Sequence, residues 1–156
     1  MQRFLCDEMV VRLGKWLRAA GYDTRIASPG TEDRDLLNCA IREERILLTR
    51  DRKFLERRGA TGVVFLLAGN DIRNWIAQLS QGFDIDWLYA PFSRCLICNG
   101  ELKPGVGPHA QAMPDYVVRE NIPCFYCSNC AKTYWKGGHV ERMSRKLKLY
   151  QSMNQA

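Results

Sequence analysis

Short apolar runs alternate along the first ninety residues with stretches in which apolar positions recur every three or four. Arg3-Phe4-Leu5-Cys6 predicts a strand, and Val10, Leu13, Trp16, Leu17 and Ala20 then repeat at helical spacing, with Arg12, Lys15 and Arg18 off that stripe. Gly21 suits the residue just past a helix, and Gly14 inside it points to close packing on a sheet. Tyr22–Ala27 predicts a second strand and Ser28-Pro29-Gly30 a turn. Thr31 is the expected N-cap of a helix burying Leu36, Leu37, Ala40 and Ile41. Ile46-Leu47-Leu48 is apolar throughout, as a strand covered on both faces reads. A short basic helix over Arg52–Arg58, a fourth strand over Val63–Leu67 and a helix burying Ile72, Trp75, Ile76 and Leu79 complete the series. Strict alternation of strand and helix predicts an α/β fold, a parallel sheet sandwiched by helices.

The polar residues that interrupt this pattern carry the candidate chemistry. Asp7 follows the first strand, Asp33 stands at a helix start, Asp51 follows the third strand, and Asp71 opens the last helix. In open α/β sheets ligands bind at the carboxyl ends of strands. An aspartate there has two readings: a helix cap, or a functional group. Carboxylates crowded on one sheet edge repel each other and raise their pKa values, and a divalent cation relieves that repulsion. Mg²⁺ and Mn²⁺ take oxygen ligands and can activate water for phosphodiester cleavage.

Charge and cysteines divide the chain. Residues 1–91 hold 14 Lys/Arg against 13 Asp/Glu, and residues 92–156 hold 9 against 4, so five of the six net positive charges lie in the last part. That imbalance suits a polyanionic partner such as RNA. Of seven cysteines, Cys95, Cys98, Cys127 and Cys130 form two Cys-x-x-Cys pairs, the ligand pattern of a structural Zn²⁺ site. A redox dithiol is disfavoured, because neither pair precedes an evident helix. Cys124 reads as a spare thiol beside the site, and Cys6 and Cys39 as small core residues. Tyr134 and Trp135 suit either base stacking or a ribbon core. His139–Tyr150 predicts a helix with Val140, Met143, Leu147 and Tyr150 on one face, and Gln151–Ala156 a frayed end. The expected organisation is residues 1–91 as the α/β domain, 92–143 as a zinc ribbon and 144–156 as a basic C-terminal helix or tail. No signal-peptide pattern opens the chain, and the longest apolar run, Val63–Ala68, is far too short for a bilayer. A soluble, cytoplasmic protein with no membrane partner is expected.

Phe4-Leu5-Cys6-Asp7-Glu8-Met9, Arg12-Leu13, Trp16-Leu17-Arg18, Gly21-Tyr22-Asp23-Thr24, Asp33 with Leu36-Leu37 and Ala40, and Arg45-Ile46-Leu47-Leu48-Thr49-Arg50-Asp51 together resemble the PIN-related RNase domain named after the C-terminal region of the mutator-seven exonuclease. The resemblance implies a PIN-like α/β fold, a C-terminal zinc ribbon and a metal-dependent ribonuclease site. Asp7, Asp33 and Asp51 then take the acidic, Mg²⁺- or Mn²⁺-binding positions, with Asp71 the candidate for the last. Arg12 and Arg50 near the acids, with Lys132, Trp135, Lys136, His139, Arg142 and Arg145 beyond them, are the expected RNA contacts. The same plan occurs in an rRNA-maturation nuclease. A module that binds RNA or a partner without turnover is the reading from a different class, and converging acids are what separate the two.

Overall fold

Phe4–Cys6 (β1) leads through a single 3-10 turn into α1 (Val11–Ala20), followed by β2 (Thr24–Ile26), α2 (Asp33–Arg42), β3 (Ile46–Thr49), β4 (Val64–Leu66) and α3 (Ile72–Gly82). The structure is a computed structural model that describes residues 1–107 and 113–154. The four strands are all parallel in the order β2-β1-β3-β4. Side chains alternate across this sheet as strand geometry requires. Phe4, Cys6 and Leu48 enter one core with Leu13, Leu17, Trp75, Ile76 and Leu79 of α1 and α3. Leu5 and Leu47 enter the other, with Leu36, Leu37 and Ala40 of α2 and Phe54. The expected sandwich is therefore present, followed by a small cysteine-bearing module.

That module holds β5 (Leu102–Pro104), α4 (Asp115–Arg119), β6 (Cys124–Cys127) and β7 (Thr133–Trp135), with β5-β6-β7 an antiparallel sheet. The last helix, α5 (Gly138–Asn154), runs unbroken through residues 143 and 144 and returns to the first domain. Leu147 and Tyr150 are buried in the core of α1 and α3, and Tyr150 meets Trp16 edge-on at 5.2 Å.

Several local expectations change. Arg18 is buried rather than solvated: its Nε donates to Thr24 O at 2.8 Å, and its Nη1 to Leu96 O and Ile97 O at 2.9 and 2.8 Å. A guanidinium can be buried here because three carbonyls accept from it. Thr31 closes the preceding turn on Ser28 O instead of capping α2, and Ile41 is 45% exposed. Arg52–Glu56 forms a 3-10 helix. The C-terminal end is helical to Asn154, since Gln151 Oε1 accepts from Trp87 N and Asn154 Nδ2 donates to Ile85 O; residues 155–156 lie outside the described residues. Gly14 sits where the pattern suggested, with a Cβ there meeting Ile26 at 2.8 Å.

Arg45, 8% exposed, lies under β1 and β2 and donates to both carboxylate oxygens of Asp23, at 2.8 and 3.2 Å. Burial raises the Asp23 carboxyl, but hydrogen bonds from Arg45 and Asn99 outweigh it and hold its pKa below the ordinary value. A depressed folded-state pKa contributes stability above the unfolded-state pKa, and that stability is lost as pH falls through the folded value. Asp23→Asn should therefore cost about 1–3 kcal/mol at neutral pH by leaving a buried guanidinium short of its partner. Urea melts should show the gap between variant and parent closing as both are acidified below the carboxylate range.

Candidate metal centre and acidic cleft

β1 connects to β2 on one side of the sheet, while β3 lies on its other side, so the chain changes direction between the two central strands. Crevices form at the carboxyl edge of such a switch point. Asp7 is the first residue past β1 and Asp51 the second past β3. Thr49 joins them: its Oγ1 donates to Asp7 Oδ2 and accepts from Asp51 N at 3.0 Å. Asp7 Oδ1 accepts from Met9 N at 2.8 Å, and Asp51 Oδ1 from Lys53 N at 2.9 Å, so both aspartates are caps as well as edge carboxylates. The two readings of these residues are compatible. Asp51 keeps its second oxygen free of hydrogen bonds among the described residues.

Asp33 joins from the first turn of α2, where its Oδ2 pairs with Arg57 at 3.2 Å. Asp7, Asp33 and Asp51 line one cleft of about 100 Å³ together with Glu8, Ser28 and Thr31. Asp7 is 4% exposed; burial raises its pKa first, hydrogen bonds from Thr49 and Met9 oppose that, and the Asp51 charge raises it further. Asp71 does not line this cleft but stands exposed before α3, with no side-chain cap hydrogen bond. Glu8 and Thr49 were not singled out by the pattern. The one signal for Thr49 was a hydroxyl residue at the end of an otherwise apolar strand.

The cysteine module shows a tighter arrangement. The Sγ atoms of Cys95, Cys98, Cys127 and Cys130 all lie within 4.8 Å of one another. Cys95 and Cys130 are 3.4 Å apart and Cys98 and Cys127 3.3 Å. Four thiolates at the ~2.3 Å of a Zn–S bond on a tetrahedron would stand about 3.8 Å apart, so the cage can hold a zinc ion after a slight outward adjustment. Burial raises the Cys95 thiol, but hydrogen bonds from Tyr134 Oη and the Cys98 and Ile97 amides bring its pKa down to about 7. Asn99 (φ +70°) and Ala131 (φ +57°) turn the chain after each pair. The turn is thus carried by Asn99 and not by Gly100, which is needed for space: a Cβ on it would sit 3.3 Å from Cys127 Sγ and 2.8 Å from Asn129. Cys124 is outside the cage, bonded to Ile122 O. Cys6 is fully buried, and Cys39 is half-buried against Glu43.

The expected RNA contacts scatter. Arg12, His139 and Arg142 line one large groove, about 850 Å³, between α1 and α5. Lys132 lies over the Tyr134 ring, and Trp135 Nε1 donates to Tyr116 Oη, so both ribbon aromatics have structural partners. Lys136 and Arg145 lie together on another side of α5. Arg50 donates to Asn70 and lies over the Trp75 ring, and it does not line the acidic cleft. His139 is exposed and makes no side-chain hydrogen bond among the described residues.

These features define a parallel α/β domain with an acid-lined cleft at its switch point, joined to a four-cysteine ribbon. The chain belongs to the Mut7-C RNAse domain family, which matches residues 2–147. It is also 30% identical over 101 residues to the human protein "Exonuclease mut-7 homolog", a match spanning 62% of this chain and 12% of that protein. No solved structure matches it.

Proposed function

We propose that the chain is a metal-dependent ribonuclease that hydrolyses RNA phosphodiester bonds at the acidic cleft, with the zinc ribbon supporting RNA binding. The observation that carries this is the convergence of Asp7, Asp33 and Asp51 on one cleft at the sheet's switch point. The residues fit a divalent cation. Two neighbouring carboxylates, one nearly buried with a raised pKa, leave negative charge in want of a counter-ion. The cleft exceeds the ~10–15 Å³ that one water needs, so a partly hydrated ion has room. Among the described residues the acids are not gathered as tightly as the cysteines, so an ion held there would keep several of its waters, as Mg²⁺ usually does. When bound, such an ion would polarise the scissile phosphate and lower the pKa of an attacking water. Asp7 and Asp51 would hold it, with Thr49 fixing both by one hydroxyl, and Asp33 would orient water beside it.

A non-catalytic RNA- or partner-binding module is the second reading. It is favoured by the Asp33–Arg57 pair and by the hydrogen bonds that already occupy both oxygens of Asp7. Cleavage of end-labelled single-stranded RNA with Mn²⁺, Mg²⁺ or chelator, beside Asp7→Asn, separates the two. The ribonuclease reading expects products only with the metals and only from the parent chain. Products that persist with chelator or in Asp7→Asn would sink it.

A further inference from the structure

The groove between α1 and α5 is strongly basic. Arg12, Lys15, Arg142 and Lys146 line it, all four exposed, and no carboxylate lines it. None of the four is in an ion pair among the described residues. Lys146 Nζ lies over the Trp16 ring at 5.7 Å, and four cations facing one channel with no carboxylate to neutralise them are an electrostatic footprint for phosphates. Two exposed apolar side chains, Pro29 and the 59%-exposed Ile97, stand at the same groove, where unpaired bases would find apolar contact. The groove also leads somewhere. Ala27 and Ser28, on the loop after β2, line both it and the acidic cleft.

Resting on the ribonuclease reading, we infer that this groove is the track of a single-stranded RNA, which runs between α1 and α5 and passes Ser28 into the acidic cleft. The phosphates lie along Arg12, Lys15, Arg142 and Lys146. A single strand fits for a geometric reason: RNA duplexes are recognised across their outer grooves, whereas single strands bend and splay their bases into concave, basic channels. The first cysteine knuckle is a wall of this track, through Leu96 and Ile97. Both carbonyls of that wall are held by Arg18 from α1. The ribbon's contribution is thereby assigned to shaping the track, and the surface around Lys132 and Arg145 lies off it.

The test is fluorescence anisotropy with a labelled 20-nucleotide oligouridine and a matched duplex RNA, using zinc-replete full chain carrying Asp51→Asn so that nothing is cleaved. Arg12→Gln with Lys15→Gln, and separately Arg142→Gln with Lys146→Gln, should each weaken single-strand binding about tenfold or more. The slope of log affinity against log salt should fall by about 1.4 for each pair, since each phosphate contact to a single strand contributes ~0.7. Arg73→Gln with Lys103→Gln removes the same charge elsewhere and should change affinity less than threefold. Duplex should bind more weakly than the single strand. Equal losses from the Arg73/Lys103 pair, a dominant loss from Lys132→Gln with Arg145→Gln, or tighter duplex binding would each overturn the track. No binding of either RNA by the otherwise unmodified chain would instead remove the ribonuclease reading itself, while metal-dependent cleavage by chain with Asp51 intact, undiminished by either pair of groove substitutions, would spare that reading and sink this one.

Discussion

Asp51→Asn should abolish RNA cleavage while leaving RNA affinity equal or slightly tighter. Loss of a group that merely supports a metal ligand costs 10–100-fold, and Asp51 is placed to be a ligand, so a loss beyond about 100-fold in kcat is expected. The substitution keeps the cap on Lys53 N, because an amide oxygen accepts as a carboxylate oxygen does. The fold should therefore survive, and thermal melting checks that directly. Binding should not suffer, since one negative charge near the phosphates has gone. A readout apart from turnover comes from the metal alone. Mn²⁺ should raise the melting temperature of the parent chain and not that of Asp51→Asn, because a ligand that binds only the native state stabilises it. Full cleavage by Asp51→Asn would place the activity at another site or in a contaminant, and an identical Mn²⁺ shift in both proteins would place the ion elsewhere.

Removing the four-cysteine cage should reach further than the ribbon. Cys127 is fully buried in the cage, and Cys127→Ser removes a thiolate that a hydroxyl replaces poorly. Zinc binding is folding free energy for such modules, so several kcal/mol are at stake, on the order of 10 °C in melting temperature for a chain of this size. The first knuckle is also tied to the sheet domain. Asn99 Oδ1 accepts from Thr24 N at 2.9 Å, Asn99 Nδ2 donates to Asp23 at 2.7 Å, and Arg18 holds the Leu96 and Ile97 carbonyls. Leu96 and Phe92 pack against the larger core. Loss of the cage should therefore raise hydrogen exchange at Thr24 and along β2, and not only in β6 and β7. A variant that retains one zinc per chain and melts with the parent would remove Cys127 from the ligand set. Exchange confined to residues after Ser93 would show the ribbon uncoupled from the sheet.

How much of this structure is legible in the sequence depends on the range of the interaction. Strand and helix identity is local. Ile46-Leu47-Leu48 reads as a covered strand from its short, unbroken apolar run, and the Leu13–Leu17 stripe as a helix face from its spacing, because side-chain patterning reports which face meets a core. The two Cys-x-x-Cys pairs were likewise legible, since thiolates at that spacing have few other uses. Asp7 and Asp51 were legible as strand-end acids for the same reason and Asp33 as a helix-start acid, and family resemblance gave all three the metal-binding positions.

What stayed hidden depended on partners distant in sequence. Arg18 has the spacing of a solvated helix residue, and three carbonyls, two of them contributed by a knuckle almost eighty positions away, turn it inward. Arg45 is buried because Asp23, twenty-two positions away and just before β2, meets its guanidinium. Thr49 acquires its role when parallel pairing of β1 with β3 brings Asp7 within reach of its hydroxyl. The basic groove is the clearest case. Composition placed the positive charge in the C-terminal part, yet two of the groove's four exposed cations, Arg12 and Lys15, come from α1 in a segment whose net charge is near neutral. Net charge sums over a segment, whereas a phosphate meets the cations that packing brings to one surface, and only the return of α5 across α1 decides which those are.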